Sequence, residues 1–130
     1  MAMIGVQRFL PRERFGELFT ALTGAGYQIV GPTIPPGVGA IVYDDLRSVD
    51  DLPTGWTDEQ SAGKYRLARR DDDAYFGYVV GPHSWKKYLF PPQALLSTSE
   101  KGEDGWTFAT PAQDPPRLAF LGVRACELAA

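Results

Sequence analysis

Four consecutive apolar residues, Leu118-Ala119-Phe120-Leu121, lie between Asp114-Pro115-Pro116 and Gly122, and they constrain this chain more than any other feature. A run that short and that apolar predicts a strand covered on both faces, the usual state of a parallel-sheet strand, and therefore the central strand of the sheet. After Gly122-Val123 the residues Arg124-Ala125-Cys126-Glu127-Leu128 are good helix formers, so the local order is strand, tight turn, helix start. Cys126, the only cysteine, falls near the start of that helix. The helix dipole and the Arg124 guanidinium favour a thiolate there. Two readings of Cys126 follow: a reactive or metal-bound thiol, or a small buried hydrophobe. The helix meets no glycine, asparagine or proline stop signal before Ala130, so the sequence reads as the N-terminal fragment of a longer chain.

A chain of 130 residues holds one domain with a real core, and 44% hydrophobic with 22% charged residues is ordinary for a soluble globular protein. One cysteine excludes an internal disulfide framework and fits a reducing cytoplasm. The net charge is -3 and no run of lysine or arginine exceeds two residues. Nucleic acid and anionic membrane are therefore not expected partners. No apolar run approaches the roughly 20 residues that span a bilayer, and the start of the chain lacks a secretion signal. No phosphate-binding glycine loop is present, and the single histidine, His83, lies far along the chain from Cys126. These residues are not expected to catalyse a reaction by themselves.

In chain order, Pro11 and the stripe Phe15, Leu18, Phe19, Leu22 predict a helix over 12–23, ended by Gly24 and Gly26. Tyr27 to Val30 and Ala40 to Tyr43 predict two short strands that pair as a hairpin, with Gly31 to Gly37 too stiff and donor-poor to join the ladder. Asp44 to Gln60 reads as a surface excursion with at most one helical turn near Ser48 to Leu52, pinned by Trp56. Lys64 to Arg69 and Tyr75 to Val80 predict a hairpin with Arg70-Asp71-Asp72-Asp73 at its tip. Ser84 caps a short helix to about Phe90 that turns Trp85, Tyr88 and Leu89 inward and Lys86 and Lys87 outward. Ser97 to Gly105 reads as a polar loop and Trp106 to Ala109 as a strand. The expected fold is α/β or α+β, a single domain with a mixed sheet and flanking helices.

Two stretches concentrate functional residue types. They are Gly81-Pro82-His83-Ser84-Trp85-Lys86-Lys87-Tyr88-Leu89-Phe90-Pro91-Pro92 and Leu121-Gly122-Val123-Arg124-Ala125-Cys126-Glu127-Leu128. The first is either the rim of a ligand or partner surface or an aromatic-pinned connector with solvated lysines. Together the stretches resemble the N-terminal region of the iron-sulfur electron-transfer family of sulfhydrogenase beta subunits and anaerobic sulfite reductase A subunits. That family pairs a lysine and Phe-Pro-Pro segment with a later Gly-Val-Arg-x-Cys-Asp motif. Lys86, Phe90, Pro91 and Pro92 match the first, and Gly122, Val123, Arg124 and Cys126 the second, with Glu127 where the family has aspartate.

The resemblance implies two 4Fe-4S clusters in a ferredoxin-like domain outside these residues and a catalytic redox partner subunit of hydrogenase or sulfite-reductase type; the sequence does not reveal whether the complex also binds a flavin. The resemblance implies Cys126 as the metal-facing residue, with Arg124 and Lys86 facing a cofactor; His83 joins them as a cofactor-binding candidate only through the reading of its own stretch as the rim of a ligand surface. A cubane cluster takes four thiolates and this sequence has one. Cys126 is thus either one ligand among others supplied from outside or a structural thiol at a domain junction. Two alternatives stand beside this reading. One is a small-molecule or thiol-dependent domain using Cys126 with His83 or Lys86 across a cleft, and the other is an interaction module presenting the 85 to 90 aromatics.

Overall fold

The computed structural model describes residues 7–78, 83–111 and 114–129 and has the expected mixed α/β content, with three helices and a mixed sheet. The chain divides into two compact units, residues 1–83 with 117–130 and residues 84–116.

In the first unit a 3-10 turn, Arg12–Arg14, leads into helix α1, Phe15–Gly24. The helix stops where glycine permits it: Gly26 takes φ +80°, its N–H reaches the Thr23 carbonyl at 2.9 Å, and the Tyr27 N–H reaches Leu22 at 3.0 Å. This pair of bonds satisfies carbonyls the helix end would otherwise strand. Phe19 is buried with Ile29, Leu46 and Leu52, and Phe15, Leu22, Val49, Tyr75 and Leu121 pack around them. Each such apolar side chain contributes roughly 1.5–3 kcal/mol when fully buried.

The sheet has three strands in the order β2-β1-β7: β1 is Gln28–Thr33, β2 is Val42–Asp45 and β7 is Leu118–Phe120. β1 pairs antiparallel with β2 and parallel with β7. Two expectations are corrected here. The 118 to 121 run is an edge strand, half-buried, and β1 is the central one. Gly31, Pro32 and Thr33 do join the ladder, opposite Asp44, Tyr43 and Val42. The reason is positional. The Val30 carbonyl bonds the Leu121 N–H at 2.8 Å, so the backbone groups of residue 32 face the same side, where β7 has already ended. A proline there removes no sheet hydrogen bond.

The remaining hairpin also differs from expectation. Lys64–Arg69 (β4) pairs with Trp56–Ser61 (β3) through a two-residue turn in which Gly63 has φ +69°, so 56–60 is strand and not loop. The short turn outcompetes the longer Arg70–Asp73 connection because its closure fixes fewer residues. The Arg69 guanidinium lies 3.7 Å over the Trp56 ring, and the Tyr65 hydroxyl accepts the Ile41 N–H at 3.0 Å. Tyr75 and Phe76 form no strand and instead meet Phe15, at ring separations of 5.3 and 6.5 Å; Val79 and Val80 lie outside the described residues. The expected helical turn is a 3-10 turn, Val49–Asp51, with Ser48 Oγ accepting the Asp50 N–H.

The second unit contains helix α2, Lys86–Leu89, and one hairpin, β5 (Thr98–Gly102) with β6 (Gly105–Ala109). β5 replaces part of the expected 97–105 loop. Trp85 is buried and Tyr88 half-buried, while Leu89 is exposed, contrary to the inward face expected for it.

Two outcomes test this architecture. A Cβ on Gly31 would stand 3.2 Å from the Leu121 carbonyl oxygen and 2.6 Å from a Leu46 methyl, so Gly31→Ala is expected to lower stability by about 1–3 kcal/mol in urea unfolding. Burial alone raises the Asp51 carboxyl, but the N–H groups of Arg47 and Ser48 and the Arg47 guanidinium outweigh it, and its pKa lies below the ordinary 3.8. A lowered carboxyl stabilises the fold above its unfolded pKa and loses that effect as pH falls. Asp51→Asn is therefore expected to cost about 1 kcal/mol at neutral pH, with the gap to wild type closing below about pH 4.

Candidate functional site

The second sequence motif begins where β1 and β7, running parallel, present their carboxyl ends side by side. In mixed and parallel sheets that end is where loops carry function. Beyond Phe120 the chain turns at Gly122, φ +78°, and a side chain there would stand 3.0 Å from the Phe76 ring and 3.2 Å from the Tyr78 hydroxyl. Glycine is required on both counts. Arg124, in extended conformation, then starts helix α3, Ala125–Leu128.

One carboxylate holds this turn. Glu127 Oε2 accepts the Arg124 N–H at 2.9 Å and lies 3.6 Å from the Arg124 Nε, while Oε1 accepts the Tyr43 hydroxyl at 3.1 Å. This is the reach-back half of a capping box, and arginine, having no acceptor, cannot make the other half. Tyr43 is buried, on β2 opposite Pro32. Glu127 therefore ties sheet, turn and helix at one point, with its side chain only 15% exposed. Burial, then the negative charge of Glu127, pushes the Tyr43 hydroxyl pKa well above its ordinary 10. The same two causes raise Tyr78, opposed by Arg124. Both phenols thus stay protonated at any physiological pH, and Tyr43 uses its proton to bond Glu127.

With Glu127 turned inward, its neighbour on the short helix turns outward: Cys126 is exposed and not disulfide-bonded. The buried-hydrophobe reading of Cys126 is corrected by this placement. The result is an accessible thiol on a braced mount, able to ligate an external metal or meet an external thiol or electrophile.

The four residues singled out in the sequence are divided between the two units. Arg124 and Cys126 share the α3 turn. His83 is exposed at the end of the first unit's main segment. Lys86 is exposed in the second unit at the start of α2, where Ser84 Oγ accepts its N–H at 3.2 Å. Gly81 and Pro82 lie outside the described residues. Trp85, being buried, is a packing residue and not part of an exposed 85 to 90 contact surface. Among the described residues no three of histidine, cysteine, aspartate and glutamate converge as a metal site.

Sequence reasoning missed Tyr43 and Tyr78, and it named Glu127 only as a motif position without its role as a brace. The spacing of Arg124 and Glu127 carried half of a capping signal, but nothing local pointed to Tyr43. It also missed an open cleft of about 770 Å³ in the first unit, between the 33–36 loop and Trp56, with the Arg47 and Asp51 pair on its wall. Neither a protein-family model, nor a curated protein, nor a solved structure matches this chain.

Removing the brace gives a graded outcome. Tyr43→Phe deletes one hydrogen bond and is expected to cost about 1–2 kcal/mol, while Glu127→Ala removes that bond together with the one to the Arg124 N–H, for about 2–3 kcal/mol. Urea unfolding of the two variants and their double mutant checks this, with a double-mutant loss smaller than the sum of the singles.

Proposed function

We propose that this chain is a domain of an iron-sulfur electron-transfer subunit that serves a hydrogenase- or sulfite-reductase-type complex and does no catalysis by itself. The reading rests on the two motifs, and one structural observation carries it furthest. Cys126 is exposed at the carboxyl end of the parallel strand pair, on a turn that Gly122 and Glu127 hold in place. A thiol so mounted suits a junction with a redox centre. Because a cubane needs about four thiolates, a cluster at Cys126 draws its remaining ligands from outside these 130 residues. Arg124 beside it supplies positive charge that compensates an anionic cluster or cofactor. Glu127 fills the place of the family's aspartate, and its longer side chain spans from the helix to Tyr43. The reading places the protein in the cytoplasm, where a lone exposed thiol stays reduced. No helix among the described residues is long and apolar enough to cross a membrane.

The test is anaerobic purification of the product of the whole reading frame that contains these residues, with iron and acid-labile sulfide assays and electron paramagnetic resonance of the reduced protein. The expected result is a 4Fe-4S signal. Cys126→Ser separates the two roles of the thiol: as a cluster ligand its loss removes or converts a signal, and as a junction residue it leaves every signal in place. A product free of iron and sulfide would sink the proposal, and alkylation of Cys126 against pH would then examine a thiol-dependent domain.

A further inference from the structure

The hairpin of the second unit leaves an edge unprotected. Among the described residues β5 and β6 form a two-stranded sheet to which no third strand is added, and all of their residues are exposed. Two strands alone are marginal in water. Natural sheets blunt a free edge with charge or proline. β5 carries Glu100 and Lys101, but β6, Gly105-Trp106-Thr107-Phe108-Ala109, carries neither. Trp106 and Phe108 lie on one face of β6, 60% and 74% exposed.

The backbone of β6 is set up for pairing. Gly102 and Gly105 close the two-residue turn and are opposite each other, as are Glu100 and Thr107. Alternation along an antiparallel ladder then directs the N–H and C=O groups of Gly105, Thr107 and Ala109 to β5, and those of Trp106 and Phe108 outward.

We propose that this edge takes the β6 strand of a second copy of the chain, antiparallel, about a twofold axis through Thr107. In that register Trp106 faces Phe108 of the second copy and Phe108 faces its Trp106, and both pairs use the outward backbone groups. Each aromatic thereby gains an aromatic neighbour, among the stabilising cross-strand pairs. The charges agree as well. Glu103 and Asp104, nearest to β6, fall opposite Pro111 and Thr110, whereas the matching pairing of β5 about its middle residue sets Glu100 against itself. The interface is isologous and closes at two copies.

Sedimentation velocity and light scattering across protein concentration test it. The wild-type chain is expected to dimerise. Thr107→Glu brings two carboxylates together on the axis, beside Glu100 of each copy, and is expected to raise the dissociation constant about tenfold or more. An equimolar mixture with Thr107→Lys is expected to recover a mixed dimer. Far-ultraviolet circular dichroism checks that the hairpin survives. If a charge disturbs it, Thr107→Cys in a Cys126→Ser background decides, since a cysteine on the axis is expected to form an intermolecular disulfide on mild oxidation. A wild-type chain that stays monomeric, a Thr107→Glu variant that dimerises undiminished, or a Thr107→Cys chain that yields no linked dimer overturns the proposal. So does a monomer whose β6 edge pairs only with a strand of a different protein.

Discussion

The first unit depends on a close approach of two backbones. Gly31 on the central strand leaves no room for a side chain beside Leu121, and there the Val30 carbonyl takes the Leu121 N–H. That contact sets the parallel register of β1 and β7, ends their pairing at a defined residue, and vacates the side of the sheet on which Pro32 has no donor to offer. It also brings Leu121 against the cluster around Phe19. Core packing and sheet register are thus consequences of one another, and the turn that follows is delivered to a fixed place.

From that place the chain makes a second commitment. A four-residue helix has too few internal hydrogen bonds to stand alone, so its orientation comes from tertiary contacts. Glu127 supplies them through Tyr43 and the Arg124 N–H, and the exposure of Cys126 follows from the helical geometry once Glu127 points inward. The proposed electron-transfer role draws on this division. The carboxylate serves the fold, which leaves the thiol unengaged by it and available for chemistry outside the domain. The second unit follows a different logic. Its buried tryptophan marks a packed region, whereas its hairpin exposes aromatic side chains on a sheet too small to bury them, a pattern more typical of an interaction surface than of a core.

Much of this was legible in the residues themselves. The α1 stripe, its glycine stop, the strand at 118 to 120, the turn at Gly122 and the short helices at Lys86 and Ala125 all answer to local rules of periodicity, capping and backbone freedom. The mixed α/β class follows from them. Where local rules offered two partners, they chose wrongly. Lys64–Arg69 had aromatic and branched residues downstream and a tryptophan strand upstream, and the turn at Gly63 decided for the upstream one. The apolar run at 118 read as central because it resembles a covered strand, yet three residues at an edge can be half-buried by what packs on them with a strand on one side only.

The sequence by itself determined helix α1, the turn at Gly122 and the short helices, the single thiol and its neighbours, and the absence of charge along β6, because these depend on residue type and on contacts only a few positions away. The tertiary structure alone decided that β1 is central, that Pro32 belongs to the sheet, and that Tyr43 meets Glu127 across most of the chain's length. Those outcomes depend on which distant backbones can approach each other, and close approach is a property of the packed molecule that no local stretch encodes.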